Sequence, residues 1–112
     1  MRIFLVGYKE RPRLRATKDG APLIDALKNL PTTALLIISP NSPNKALQHL
    51  AETGWEEVPV ADLAELYDRI EELAMNRQNL WYRTTSIGGG KARLFTRWTP
   101  VPPPILEGAM EA

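Results

Sequence analysis

Two short runs constrain this chain more than anything else in it. Residues 2–8 (RIFLVGY) and 33–39 (TALLIIS) are apolar almost without interruption. A strand with one wet face alternates apolar and polar residues, so an unbroken apolar run of strand length must be covered on both faces. Helices usually provide that cover, and the intervening sequence has the right period for them. Residues 21–30 (APLIDALKNL) place Leu23, Ile24, Leu27 and Leu30 on one stripe, with Pro22 in the first turn and Pro31 beyond the last. Residues 43–53 (PNKALQHLAET) turn Ala46, Leu47, Leu50 and Ala51 to one side, with Ser42 or Asn44 as a cap and Gly54 as a stop. Residues 61–76 form the longest helical pattern, with Leu63, Leu66, Tyr67, Ile70, Leu73 and Ala74 on one face.

A third strand is expected at residues 56–60, after Trp55, and Pro59 confines it to an edge or to a strand end. Strands alternating with helices favour parallel crossover units. The expected fold is therefore α/β: a small single domain over residues 1–99. It has three mainly parallel strands (2–8, 33–39, 56–60), crossover helices and a C-terminal antiparallel β-hairpin. A ferredoxin-like arrangement is the alternative. Residues 100–112 are expected to be an extended tail, stiffened by Pro100, Pro102, Pro103 and Pro104 and frayed over its last six residues.

The hairpin, residues 80–98 (LWYRTTSIGGGKARLFTRW), is the strongest functional candidate. Both arms are rich in strand formers, and Gly88, Gly89 and Gly90 form the turn. With all three glycines in the loop, Ile87 faces Lys91, Thr85 faces Arg93, Arg83 faces Phe95 and Trp81 faces Arg97. That face is aromatic and basic. The opposite face, with Leu80, Tyr82, Leu94 and Trp98, is apolar enough to lie on a core. Arginine and lysine neutralise phosphates, and aromatic rings offer planes for unpaired bases. Trp81, Arg83, Lys91, Arg93, Phe95 and Arg97 are therefore the candidate nucleic-acid contacts. A solvated outer face, with arginine stems laid over the rings, accounts for the same pattern without a ligand.

A second basic segment supports them. Residues 9–20 (KERPRLRATKDG) follow the first strand and carry Arg11, Arg13 and Arg15. The carboxyl end of a parallel strand is where α/β proteins tend to bind ligands. There is no Walker or GxGxxG pattern, which argues against a nucleotide cradle.

The remaining chemistry is sparse. The chain has 112 residues and no cysteine, which excludes disulfides and thiolate sites. His49, the one histidine, has no carboxylate or second ligand in register, and Ser39 lacks the glycine frame of a nucleophile elbow. No catalytic residue, metal site or cofactor is expected, and an enzyme is the least supported class. No apolar run approaches the roughly 18 residues of a membrane span, so a cytoplasmic chain with no membrane partner is expected. The net charge is only +1, a smaller excess than dedicated nucleic-acid binders usually carry.

Two partner classes are therefore expected. The first is single-stranded nucleic acid on the hairpin. The second is a protein, itself a nucleic-acid binder or a second copy of the chain. In that case the chain acts as an adaptor or inhibitor of the size that phages and mobile elements encode. It would dock through the acidic helix 61–76, the hairpin or the proline tail.

Overall fold

A computed structural model describes residues 1–15, 19–40, 44–76, 78–84, 93–98 and 108–112. The two apolar runs become strands β1 (Arg2–Leu5) and β2 (Leu35–Pro40), paired in parallel, with Ile3 opposite Leu36 and Leu5 opposite Ile38. Between them lies helix α1 (Leu23–Lys28), which begins directly after Pro22 and buries Leu23, Ile24 and Leu27. The chain continues through α2 (Asn44–Glu52), β3 (Glu56–Val58), α3 (Leu63–Met75), β4 (Asn79–Thr84), β5 (Arg93–Arg97) and β6 (Met110–Glu111). The result is a small α/β domain: one mixed six-stranded sheet, ordered β3-β5-β4-β2-β1-β6, with three helices among the described residues.

Both sheet faces are covered, as the apolar runs require. On one face Ile3, Leu5, Leu36, Ile38, Leu80, Tyr82 and Leu94 form a continuous core with buried residues of α1 and with Leu66, Ile70 and Ala74 of α3. On the other face Phe4, Leu35 and Ile37 are buried, and Leu50 of α2 packs with Trp55, Trp81 and Phe95. At roughly 25 cal/mol per Å² of apolar surface, each such fully buried aliphatic side chain contributes about 1.5–3 kcal/mol.

The local signals at the helix ends explain where the elements stop. Asp62 caps α3 by accepting from the Glu65 N–H at 2.8 Å, and the Glu65 carboxylate reaches back to the Ala61 N–H. Gly54 ends α2 at φ +85°, with Gly54 N–H on the Ala51 carbonyl and Trp55 N–H on the Leu50 carbonyl. That pair of bonds is a Schellman stop, and it delivers Trp55 onto the sheet. Gly7, at φ +81°, turns the chain sharply after β1. A Cβ there would lie 3.1 Å from the Pro40 ring.

Three expectations are corrected. The third parallel strand is β4, paired with β2, and not residues 56–60. β3 lies at the edge and runs antiparallel to β5. The reason is polarity: Glu56 and Glu57 point to opposite faces and are both exposed, which a strand covered on both sides cannot accommodate. The β4–β5 pair therefore lies inside the sheet, between β2 and β3. The ferredoxin-like alternative does not describe this order, because consecutive strands β1 and β2 are parallel neighbours. Finally, the last residues do not fray. Met110–Glu111 pairs antiparallel with β1, Ala112 N–H donates to the Ile3 carbonyl, and Glu111 forms an ion pair with Arg2.

Candidate functional site

The hairpin arms are joined two residues away from the expected register. Trp81 faces Phe95, and Arg83 faces Arg93. A shift of two preserves sidedness, so Trp81, Arg83, Arg93, Phe95 and Arg97 still share one face while Leu80, Tyr82 and Leu94 lie on the core. Gly88, Gly89, Gly90 and Lys91 fall outside the described residues.

This basic and aromatic face is turned toward α2. Phe95 is buried beside Leu50 and Trp55. Trp81 is half-buried, meets Trp55 edge to face at 5.7 Å, and donates its indole N–H to Ser39 Oγ at 2.6 Å. Arg83 is only 3% exposed and sits over the Trp81 ring at 5.9 Å. Burial, and then the nearby Arg93 charge, lower the Arg83 pKa. Arg93 lies over Phe95 and donates to both Glu57 carboxylate oxygens, at 2.6 and 2.7 Å. That pairing holds Glu57 below the ordinary carboxylate range and raises Arg93. Arg97 is half-buried farther along the same face. Trp98, expected on the apolar side, is 70% exposed.

The first basic segment is arranged differently. Along residues 11–15 exposure alternates strictly: Arg11, Arg13 and Arg15 are exposed, while Pro12 and Leu14 are half-buried. The cause is an extended backbone with Leu14 packed against the main core, which sends the odd-numbered side chains outward together. The segment is tied to the body. Leu23 N–H donates to the Leu14 carbonyl at 2.7 Å, and Arg15 forms an antiparallel bridge with Pro22.

Between this segment and residues 20–25 lies a cleft of about 540 Å³ lined by all three arginines and Asp25. Arg11 forms an ion pair with Asp25, and Arg15 Nη1 donates to the Gly20 carbonyl at 3.1 Å. Arg13 sits between them and forms no ion pair with a described residue. The sequence predicts these three arginines, and the fold brings them to one cleft beyond the carboxyl end of β1. The hairpin arginines lie elsewhere, on strands β4 and β5.

No protein-family model, curated protein or solved structure matches this chain.

Sequence reasoning misses Asp25 and Glu57, and it weighs Ser39 only as a nucleophile and not as a hydrogen-bond acceptor. Each acts on a residue it does single out: Asp25 on Arg11, Glu57 on Arg93 and Ser39 on Trp81. The separations of 14, 36 and 42 residues leave no local signal for these pairs. Among the described residues no group of three potential metal ligands lies together, and no helix is long and apolar enough to cross a membrane. His49 is exposed.

Proposed function

We propose that this chain is a small non-catalytic protein that binds single-stranded nucleic acid, taking phosphate at the arginine cleft of residues 11–15. The observation that carries this reading is the outward row of Arg11, Arg13 and Arg15 on a segment fixed by Leu14 and Leu23. Ordering such a row in advance lowers the entropy cost of engaging an anion. The hairpin contributes less directly. Phe95 and Arg83 are buried and Arg93 is neutralised by Glu57, which leaves the half-buried Arg97 and the exposed Trp98 as its remaining cation and ring.

The test is fluorescence anisotropy of labelled single-stranded RNA and DNA at two salt concentrations. Each phosphate contact on a single strand adds about 0.7 to the slope of log affinity against log salt. The Arg11→Gln/Arg13→Gln/Arg15→Gln triple variant should lower that slope by at least about 0.7, the share of one phosphate contact. Arg93→Gln/Arg97→Gln should change it less.

A second reading rests on α3. Its outer side carries Asp68, Glu71 and Glu72, with Arg69 as the cation among them. Such a face suits a basic protein surface, whether that of a nucleic-acid-binding partner or the arginine row of a second copy. No oligonucleotide binding at low salt, together with a basic partner recovered by pull-down, would favour this reading over the first.

A further inference from the structure

We propose that the cleft between residues 11–15 and 20–25 is a phosphomonoester site, built for the phosphorylated end of a strand and not for phosphates along its length. This inference rests on the nucleic-acid reading above and specifies its ligand.

Two side chains cross the cleft. Its walls run antiparallel, joined at Arg15–Pro22. At one end Arg11 reaches across to Asp25, and at the other Arg15 reaches across to the Gly20 carbonyl. A continuous strand lying along the cleft would have to pass both ties. A terminal group can enter end-on between them, where Arg13 is the guanidinium not engaged with the opposite wall.

Charge and size agree with that geometry. Three arginines and one aspartate are among the described residues that line the cleft, and together they carry 3 − 1 = +2. A phosphomonoester carries about −1.5 to −2 near neutral pH, whereas an internal phosphodiester carries a single charge. Arginine's planar fork donates two parallel hydrogen bonds to phosphate oxygens, and Arg13, which forms no ion pair with a described residue, can present that fork. About 540 Å³ is ample for one nucleotide but small for several. Pro12, Leu14 and Pro22 supply apolar wall beside the charge, suited to a sugar or base edge.

The experiment uses the full chain and three labelled single-stranded oligonucleotides of one sequence, carrying a 5′-phosphate, a 3′-phosphate or neither. Adenosine monophosphate and inorganic phosphate serve as competitors. One phosphorylated end should bind at least about tenfold tighter than the unphosphorylated strand, the discrimination expected of a charged hydrogen-bonded contact. Arg13→Gln should abolish that difference, while Lys28→Gln, at an exposed cation outside the cleft lining, should leave it intact.

Equal affinity for all three oligonucleotides overturns the inference and leaves nucleic-acid binding standing. Arg13-dependent binding of adenosine monophosphate without any oligonucleotide binding keeps the phosphomonoester site and assigns it a free nucleotide. That outcome removes the nucleic-acid reading instead. No binding by any probe overturns both.

Discussion

Replacing Gly7 by alanine tests how the sheet hands the chain over to the arginine segment. Two costs act at this position. The backbone has φ +81°, a left-handed conformation that costs a residue with a Cβ about 1–2 kcal/mol. The new methyl group would also lie 3.1 Å from Pro40 Cδ and 3.2 Å from Cγ. Those distances are shorter than the ordinary 3.5–4.0 Å carbon contact, and a ring fused to the β2 backbone has little room to yield. Overpacking of this kind adds about 1–3 kcal/mol. Against these costs, alanine restricts the unfolded chain and returns about 0.4–1 kcal/mol. The net expectation for Gly7→Ala is a loss of about 2–3 kcal/mol.

Gly54→Ala is the matched control. Its φ is +85°, but nothing lies within 4 Å of the added carbon, so only the backbone cost applies and the net loss is about 0.5–1 kcal/mol. Urea unfolding of both variants, with Pro40→Ala and the Gly7→Ala/Pro40→Ala double variant, separates the two costs. Removing the ring should restore about 1 kcal/mol in the Gly7→Ala background. Equal losses at Gly7 and Gly54, or no coupling to Pro40, would refute the reasoning.

Three further outcomes are expected. Trp81→Phe leaves the Ser39 hydroxyl, itself 4% exposed, without its indole donor; it should cost about 1–2 kcal/mol in denaturant unfolding, and Ser39→Ala added to it should cost less than it does alone. Glu57→Gln should cost only about 0.5 kcal/mol at pH 7, since both partners are more than a third exposed. Because the Glu57 pKa is lowered in the folded state, that contribution is present above the ordinary carboxylate range and lost as pH falls through the folded value, so wild type and variant should converge in acid. Tyr82 is pushed up to about 12, first by burial and then by Tyr8, so folding favours its neutral form. That stability is complete below pH 10 and lost as pH rises toward 12, and Tyr82→Phe should show a smaller fall in stability over that interval, measured by alkaline unfolding.

The parts of the fold legible in sequence are those that repeat a period. The runs RIFLVGY and TALLIIS announce strands covered on two faces, and Leu66, Ile70 and Ala74 recur at the helical spacing that buries α3. The sidedness of the hairpin was legible for the same reason, since a two-residue slip changes partners and not faces. Strand order was not. Leu80, Trp81 and Tyr82 form an apolar run consistent with a central strand, but a run of three residues followed by three glycines is equally the arm of a peripheral hairpin. β6 had no signal at all: two residues, Met110 and Glu111, are placed by the exposed edge of β1. In the candidate site, the arginines were visible as a basic cluster. Their outward alignment was not, because it depends on Leu14 reaching the core and on Asp25 standing across the cleft on α1.

A net charge of +1 conceals how unevenly the charges are distributed. Lys9, Arg11, Arg13 and Arg15 belong to the segment that leaves β1, with Glu10 the acidic residue among them, while Glu65, Asp68, Glu71 and Glu72 belong to α3 and Asp62 caps it. α1 packs on β1 and α3 packs on β4, with β2 between those strands, so the two sets of charge sit over different parts of the sheet. An approaching anion is therefore attracted to one part of the molecule and repelled from another, which orients it before contact even though the total charge is nearly zero. Beyond about 8–10 Å this steering is screened at physiological salt, whereas direct contacts inside the cleft act within that distance. For the proposed phosphate ligand, the long-range field would thus govern how often it reaches the arginines, and the cross-linked cleft around Arg13 would govern how long it stays.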